Sequence, residues 1–134
     1  MKLKLFYLFC LIIPFVSSCE EDTDRPNDII GRWDWISSTG GIASVTYTPE
    51  STGDKVELEF TLDSIYREYR NDTLIYECKF GIVQLESSYD NEILKKVIFE
   101  IPIFQQFYEL ESPDKLVLID NGSDGFVRTY LRIK

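Results

Sequence analysis

The chain contains no histidine. That excludes Ser-His-Asp and Cys-His nucleophilic sites, and any zinc site built on imidazole. It also carries no Gly-rich phosphate loop, paired-cysteine motif or nucleophile elbow. What remains is oxygen chemistry and one arginine–tyrosine pair. Glu57 and Glu59 stand two apart, on the polar face of a strand-like segment where carboxylates ordinarily meet water. They do not resemble an activated acid/base pair, and the expectation is a protein that is not an enzyme. Asp120, Asn121, Ser123 and Asp124 could offer oxygens to calcium, but the distal glutamate of an EF-hand loop is missing. Gly122 and Gly125 point instead to a hairpin turn using positive φ angles, so no metal and no cofactor is assigned. Arg128 and Tyr130 fall on one face of the last segment together with Phe126 and Arg132. If that face looks inward, the buried charge needs an Asp or Glu partner or an anionic ligand. The opposite face, Val127, Thr129, Leu131 and Ile133, is more apolar and is the interior by pattern alone, which would leave Arg128 in solvent. Both orientations stay open, with Arg128 and Tyr130 as candidate ligand-binding residues.

These residues are carried by short segments rich in Val, Ile, Thr, Tyr, Phe and Trp, alternating with period two between turn signals. In Lys55 to Leu62, positions 56, 58, 60 and 62 share one face. Ile65 to Arg70 and Thr73 to Phe80 flank Asn71-Asp72, a two-residue hairpin candidate. In the second of them Leu74, Tyr76, Cys78 and Phe80 share a face, which points Cys78 inward. Further candidates are Trp33 to Ser38, Val45 to Thr48, Ile82 to Ser87, Leu94 to Ile101, Gln106 to Leu110, Lys115 to Asp120 and Phe126 to Ile133. Turns fall near Tyr89-Asp90-Asn91, Ser112-Pro113-Asp114 and residues 121–125. Eight to ten short strands imply an all-β barrel or sandwich, and closure as a barrel would remove exposed edges.

The N-terminus is organised differently. Lys2 and Lys4 precede an apolar run from Leu5 to Val16, followed by Ser17 and Ser18. This is the layout of a secretory signal peptide over residues 1–18. The run is shorter than the roughly 20 residues that span a bilayer. Val16-Ser17-Ser18-Cys19 resembles the lipobox of bacterial lipoproteins, in which the cysteine is acylated (palmitate among the acyl groups) and becomes the mature N-terminus. The resemblance implies an exported protein held on the outer membrane of a Gram-negative bacterium by lipid on Cys19. Glu20-Glu21-Asp22 resembles the acidic tract that sends some such proteins to the cell surface. Residues 19–29 are then the acylated cysteine and a polar tether. Without residues 1–18 the chain has 12 Lys+Arg against 23 Asp+Glu, a formal charge of −11. So acidic a surface repels phosphate backbones and excludes nucleic acid as a partner. Cys10 leaves with the signal and Cys19 is acylated, so Cys78 has no partner for a disulfide.

Gly31-Arg32-Trp33 opens the remaining domain, residues 30–134. It resembles the Gly-x-Trp start of the first strand in lipocalins and their calycin relatives. There the Trp closes one end of the barrel and an Arg near the end of the last strand packs across it. Gly31, Trp33 and Arg132 are the corresponding residues here. The resemblance implies a small antiparallel up-and-down barrel of about eight strands, without the C-terminal helix of secreted lipocalins because the chain stops just after Arg132. Arg128-Thr129-Tyr130 likewise resembles the Arg-x-Tyr with which intracellular fatty-acid-binding barrels hold a ligand carboxylate. Two functions follow from different physics. One is a membrane-anchored module binding a small apolar or amphipathic ligand in the barrel mouth, with Trp33 and Trp35 as candidate lining, which requires a cavity of about 300 Å³ or more. The other is a filled-core structural or interaction module that meets another envelope protein. Phe60, Leu62, Tyr76 and Phe80 would crowd a small interior and favour the second, whereas the family resemblance favours the first and places it ahead.

Overall fold

Nine strands and one short helix follow one another along the chain in the computed structural model, which describes residues 28–87, 92–100 and 104–134. The signal segment, Cys19 and the turn at Tyr89-Asp90-Asn91 lie outside the described residues. The strands are β1 (Gly31–Gly40), β2 (Val45–Tyr47), β3 (Val56–Phe60), β4 (Ile65–Arg70), β5 (Thr73–Glu86), β6 (Ile93–Phe99), β7 (Phe104–Ser112), β8 (Lys115–Asp120) and β9 (Phe126–Arg132). The helix α1 (Pro49–Thr52) sits between β2 and β3.

Every neighbouring pair is antiparallel, and β1 pairs with β9 as well as β3, so eight strands close into an up-and-down barrel while β2 adds a flap on β1. The architecture is consistent with a lipocalin-like fold. Two segments separated at Gly81 by the sequence reading, Thr73 to Phe80 and Ile82 to Ser87, are one continuous strand, because pairing with β6 carries through Gly81↔Ile98. Asn71 and Asp72 have φ of 50° and 63°, the left-handed pair that lets a two-residue turn join β4 to β5. The helix was not legible as hydrophobic period; it is set by a capping box, in which Thr48 and Ser51 exchange side chain and backbone hydrogen bonds, and by Gly53 at φ 74°.

The pairing defines two ends. At one, β1 begins and β3 ends (Gly31↔Phe60), β4 begins and β9 finishes beside Trp33. At the other, β1 ends against Phe126, β3 begins against Arg70, and β8 finishes at Asp120. Inward positions between them alternate as the pleat demands: Trp33 and Trp35, Leu58 and Phe60, Val97 and Phe99, Leu116 and Leu118 are all buried. Phe60 gathers Tyr66 at 5.1 Å and Phe80 edge-on at 5.1 Å, and Phe99 stacks edge-on to Tyr66 at 4.6 Å. Leu62 departs from the reading of its strand. β3 stops at Phe60, and Leu62 stands in the following turn, 85 % exposed, rather than in the interior.

The outer face carries the carboxylates. Glu57 does not simply meet water: it is buried, with Arg32 Nη2 at 2.5 Å and Lys55 Nζ at 2.7 Å. Glu59 accepts from Arg67 at 3.0 Å and from the Tyr69 hydroxyl at 3.3 Å. These are cross-strand charge ladders on β1, β3 and β4, which steady the sheet.

Candidate functional site

The end at which β1 begins is sealed by the residues of the Gly-x-Trp motif. Arg132 lies with its guanidinium 4.1 Å from the centre of the Trp33 ring. Its nitrogens donate to the carbonyl oxygens of Ile30 at 2.6 Å, Pro113 at 2.8 Å and Asp28 at 3.0 Å. Trp33 Nε1 donates to the Ile29 carbonyl at 2.7 Å, and both Trp33 and Ile29 are fully buried. A charged fork meeting three backbone acceptors over an indole face is favourable because each N–H that leaves water finds a partner. Gly31 is part of the same arrangement: at φ 135° it has a backbone that other residues rarely adopt, and a Cβ there would come within 2.5 Å of an Arg132 nitrogen. Asp28 and Ile29, which the sequence reading gave to the tether, are therefore held by the barrel.

The other end is hollow. A half-open cavity of about 380 Å³ lies among the inward side chains of β1, β3–β9 near Asp120 and Arg70. Tyr66, Phe99, Tyr130 and Trp35 form its aromatic wall, and Leu118 and Val56 add aliphatic surface. Glu68, Arg70, Gln106, Arg128 and Ser38 supply the polar part. Trp33 and Trp35 therefore separate in role: Trp33 is in the seal, and Trp35 lines the cavity, its Nε1 donating to Ser38 Oγ at 2.8 Å. The cavity exceeds the volume that a filled barrel would leave, but its wall is mixed rather than purely apolar.

The last strand turns the Arg128 face inward. Tyr130 is buried and Arg128 part-buried, whereas Val127 and Leu131 are exposed. The more apolar face is the outer one, the reverse of the pattern reading. The reason is that Arg132 must reach Trp33, and period two then carries Arg128 and Tyr130 to the same side. The charge this places in the lumen is met by Asp120. Its carboxylate pairs with Arg128 and accepts from Gln106 Nε2 at 2.7 Å and from the Phe126 N–H at 3.0 Å. Burial works against the ionised form of Asp120, but the hydrogen bonds from Arg128, Gln106 and Phe126 outweigh it and hold the carboxyl below the usual range. Burial raises the Tyr130 phenol well above its ordinary value, so it is a neutral hydroxyl at any physiological pH.

Sequence reasoning placed Asp120 in a candidate calcium loop; its side chain is instead committed to Arg128. Gly122 and Gly125 do not supply positive φ angles either. Gly125 is needed for space: a Cβ would lie 2.7 Å from the Asp120 Cβ, and its carbonyl approaches within 2.4 Å of where a Gly40 Cβ would be. Glu68 and Arg70 were missed as lining residues, and Tyr76, read as a side chain that fills the interior, lines the cavity instead. The signal was present in β4, where Tyr66, Glu68 and Arg70 stand two apart, but two charges on one strand face ordinarily lie in solvent. Glu68 Oε2 accepts from the Tyr66 hydroxyl at 3.2 Å, and Arg70 lies 3.9 Å from Glu68. The Tyr76 hydroxyl is out of solvent contact and has no hydrogen-bond partner among the described residues. Cys78 is part-buried against the core beside it. Chemically, the cavity offers aromatic surface for an apolar body and a charge-compensated polar rim for one or two hydrogen-bonding groups. No family model, curated protein or solved structure matches this chain.

Proposed function

We propose that this protein is a lipid-anchored binding module that holds a small amphipathic molecule in the mouth of its barrel. The observation that carries the reading is the half-open cavity of about 380 Å³ with an aromatic wall and a polar rim, the combination typical of small-molecule sites. Its role is binding, not catalysis, and its placement on the membrane comes from the signal layout and Cys19. Because Arg128 is already neutralised by Asp120, a ligand carboxylate is not needed to balance it, and a neutral polar head group suits the rim as well.

The test is native mass spectrometry of the full protein taken from its own membranes, followed by titration with a dansyl-labelled fatty acid and a dansyl-labelled alkanol. Expected are a co-purifying small molecule and saturable binding of the alkanol that is lost when Leu118→Trp fills the cavity. Comparable binding of the fatty acid by the wild type and Arg128→Ala would show that the arginine does not select the head group. If neither probe binds and only a protein co-purifies, an envelope protein-interaction module replaces this reading.

A further inference from the structure

Arg128 and Glu68 both line the cavity, but they differ in how their charges are met. Arg128 has the Asp120 carboxylate against it, and Asp120 takes two further donors besides. Glu68 has less. Its Oε2 accepts from the Tyr66 hydroxyl at 3.2 Å. Beside its Oε1 the nearest cation among the described residues is Arg70, whose Nη2 stands 3.9 Å away on a half-exposed side chain. So long and exposed a contact at the rim is worth little. A carboxylate can accept about four hydrogen bonds, and the Glu68 side chain, only 27 % exposed, turns its remaining capacity toward the lumen.

Its neighbours are rings. The register sets Glu68 beside Tyr76 on β5 and Leu58 on β3, and period two puts Tyr66 one step deeper on the same face. The Tyr66 and Tyr76 rings lie 6.1 Å apart, tilted by 60°, and Trp35 and Tyr130 continue the wall. Burial raises the Tyr66 and Tyr130 phenols, and the Glu68 carboxylate adds to the push on both, so its charge is felt on two strands of the wall. A carboxylate among aromatic rings suits an organic ammonium ion. The π faces and the carboxylate attract the same positive charge, and the rings also pack against the carbons around the nitrogen. An anionic head group would meet like charge at Glu68 and, at Arg128, a cation already neutralised. Around the lumen Asp54, Glu68 and Asp120 stand against Arg70 and Arg128, a surplus of one negative charge. The chain as a whole carries a formal −9, which draws cations toward the mouth and repels anions.

We infer that the cavity selects an organic cation, an apolar body carrying a protonated or quaternary amine, with Glu68 as its counter-ion and Tyr66 and Tyr76 as the rings beside the nitrogen. This assignment rests on the cavity being a small-molecule site and adds the charge of the head group.

The experiment uses the full mature protein in a mild detergent and three dansyl-labelled probes of equal chain length, ending in trimethylammonium, hydroxyl or carboxylate. Partition of each probe into empty micelles is subtracted. Expected is tightest binding of the ammonium probe, about tenfold ahead of the alkanol, with the carboxylate last. Glu68→Gln keeps the shape and an acceptor for the Tyr66 hydroxyl. It should erase the ammonium preference and leave alkanol affinity within about twofold of the wild type. Glu59→Gln, in the outer ladder with Arg67, removes the same charge from the protein and should leave the preference intact. Tetramethylammonium chloride should displace the ammonium probe from the wild type at a concentration where sodium chloride does not. Equal displacement by the two salts overturns the assignment, even where Glu68→Gln fails to fold. An alkanol that binds as tightly as the ammonium probe, or an ammonium preference that survives Glu68→Gln, also overturns it while leaving the cavity a binding site. If no probe binds, the binding reading fails and the choice of a cation with it.

Discussion

The sealed end and the cavity end are built from the same strands, yet they treat polar groups in opposite ways. At the seal, the Arg132 fork meets three carbonyl oxygens and an indole face, and Trp33 Nε1 has its own acceptor. Around the cavity, Asp120 satisfies Arg128, but among the described residues the Tyr76 hydroxyl has no hydrogen-bond partner, and Arg70 stands 3.9 Å from Glu68. The seal is complete without any other molecule. The cavity leaves groups for something else to meet. Substitutions at the two ends should therefore separate stability from binding.

The largest effect is expected at the seal. Trp33→Ala removes a fully buried ring and should cost about 3–5 kcal/mol, close to the whole stability of a small domain. Arg132→Met keeps much of the packing but strands the carbonyls of Asp28, Ile30 and Pro113 and loses the contact over Trp33, at a cost of about 3 kcal/mol. Urea unfolding measures both. A loss below about 1 kcal/mol for Arg132→Met would mean that the end is held by apolar packing alone, and the contrast between the two ends would collapse.

The seal was readable in the sequence because its three residues sit at fixed places in strand order, and each type has one task there. Glycine gives room, tryptophan gives a plug, arginine gives a fork. The strand count and the Asn71-Asp72 turn were readable for the same kind of reason, since period two and left-handed turn residues are local properties. The cavity was much less so. Its polar wall draws Glu68, Gln106 and Arg128 from three strands, and the Asp120 carboxylate that joins Gln106 to Arg128 does so only once β7, β8 and β9 lie side by side. Read strand by strand, such charges belong outside, which is why β9 had two admissible orientations and only the demand of Arg132 for Trp33 decides between them. Leu62 fails in the opposite sense: its alternation continues past the point where hydrogen bonds to Ile65 turn the chain at Thr61.

At the cavity end the middle-sized effect is predicted, and it depends on pH. Asp120→Asn leaves the Arg128 charge in the lumen without its counter-ion and should destabilise the barrel at neutral pH by about 1–3 kcal/mol. The carboxyl of Asp120 titrates lower in the folded barrel than its ordinary 3.8, so the folded state favours the ionised form. Its contribution is therefore fully present above about pH 4 and is lost as the pH falls through the lower, folded value. Stability curves of the wild type and Asp120→Asn should converge below about pH 4. Parallel curves across that range would remove Asp120 as the group that matters.

The smallest change in stability, and the sharpest probe of the contrast, is Tyr76→Phe. The hydroxyl is out of solvent contact and has no hydrogen-bond partner among the described residues, so deleting it removes a desolvated polar group without removing a hydrogen bond seen there. The midpoint of thermal unfolding should stay level or rise. A ligand that donates to or accepts from that hydroxyl would lose affinity in the same variant, whereas Trp33→Val, destabilised at the far end, should bind it normally wherever it remains folded. A fall in the unfolding midpoint of Tyr76→Phe would mean that the hydroxyl already has an internal partner, Cys78 being the nearest candidate. The cavity would then be as self-sufficient as the seal, with its buried hydroxyl already met from within the barrel.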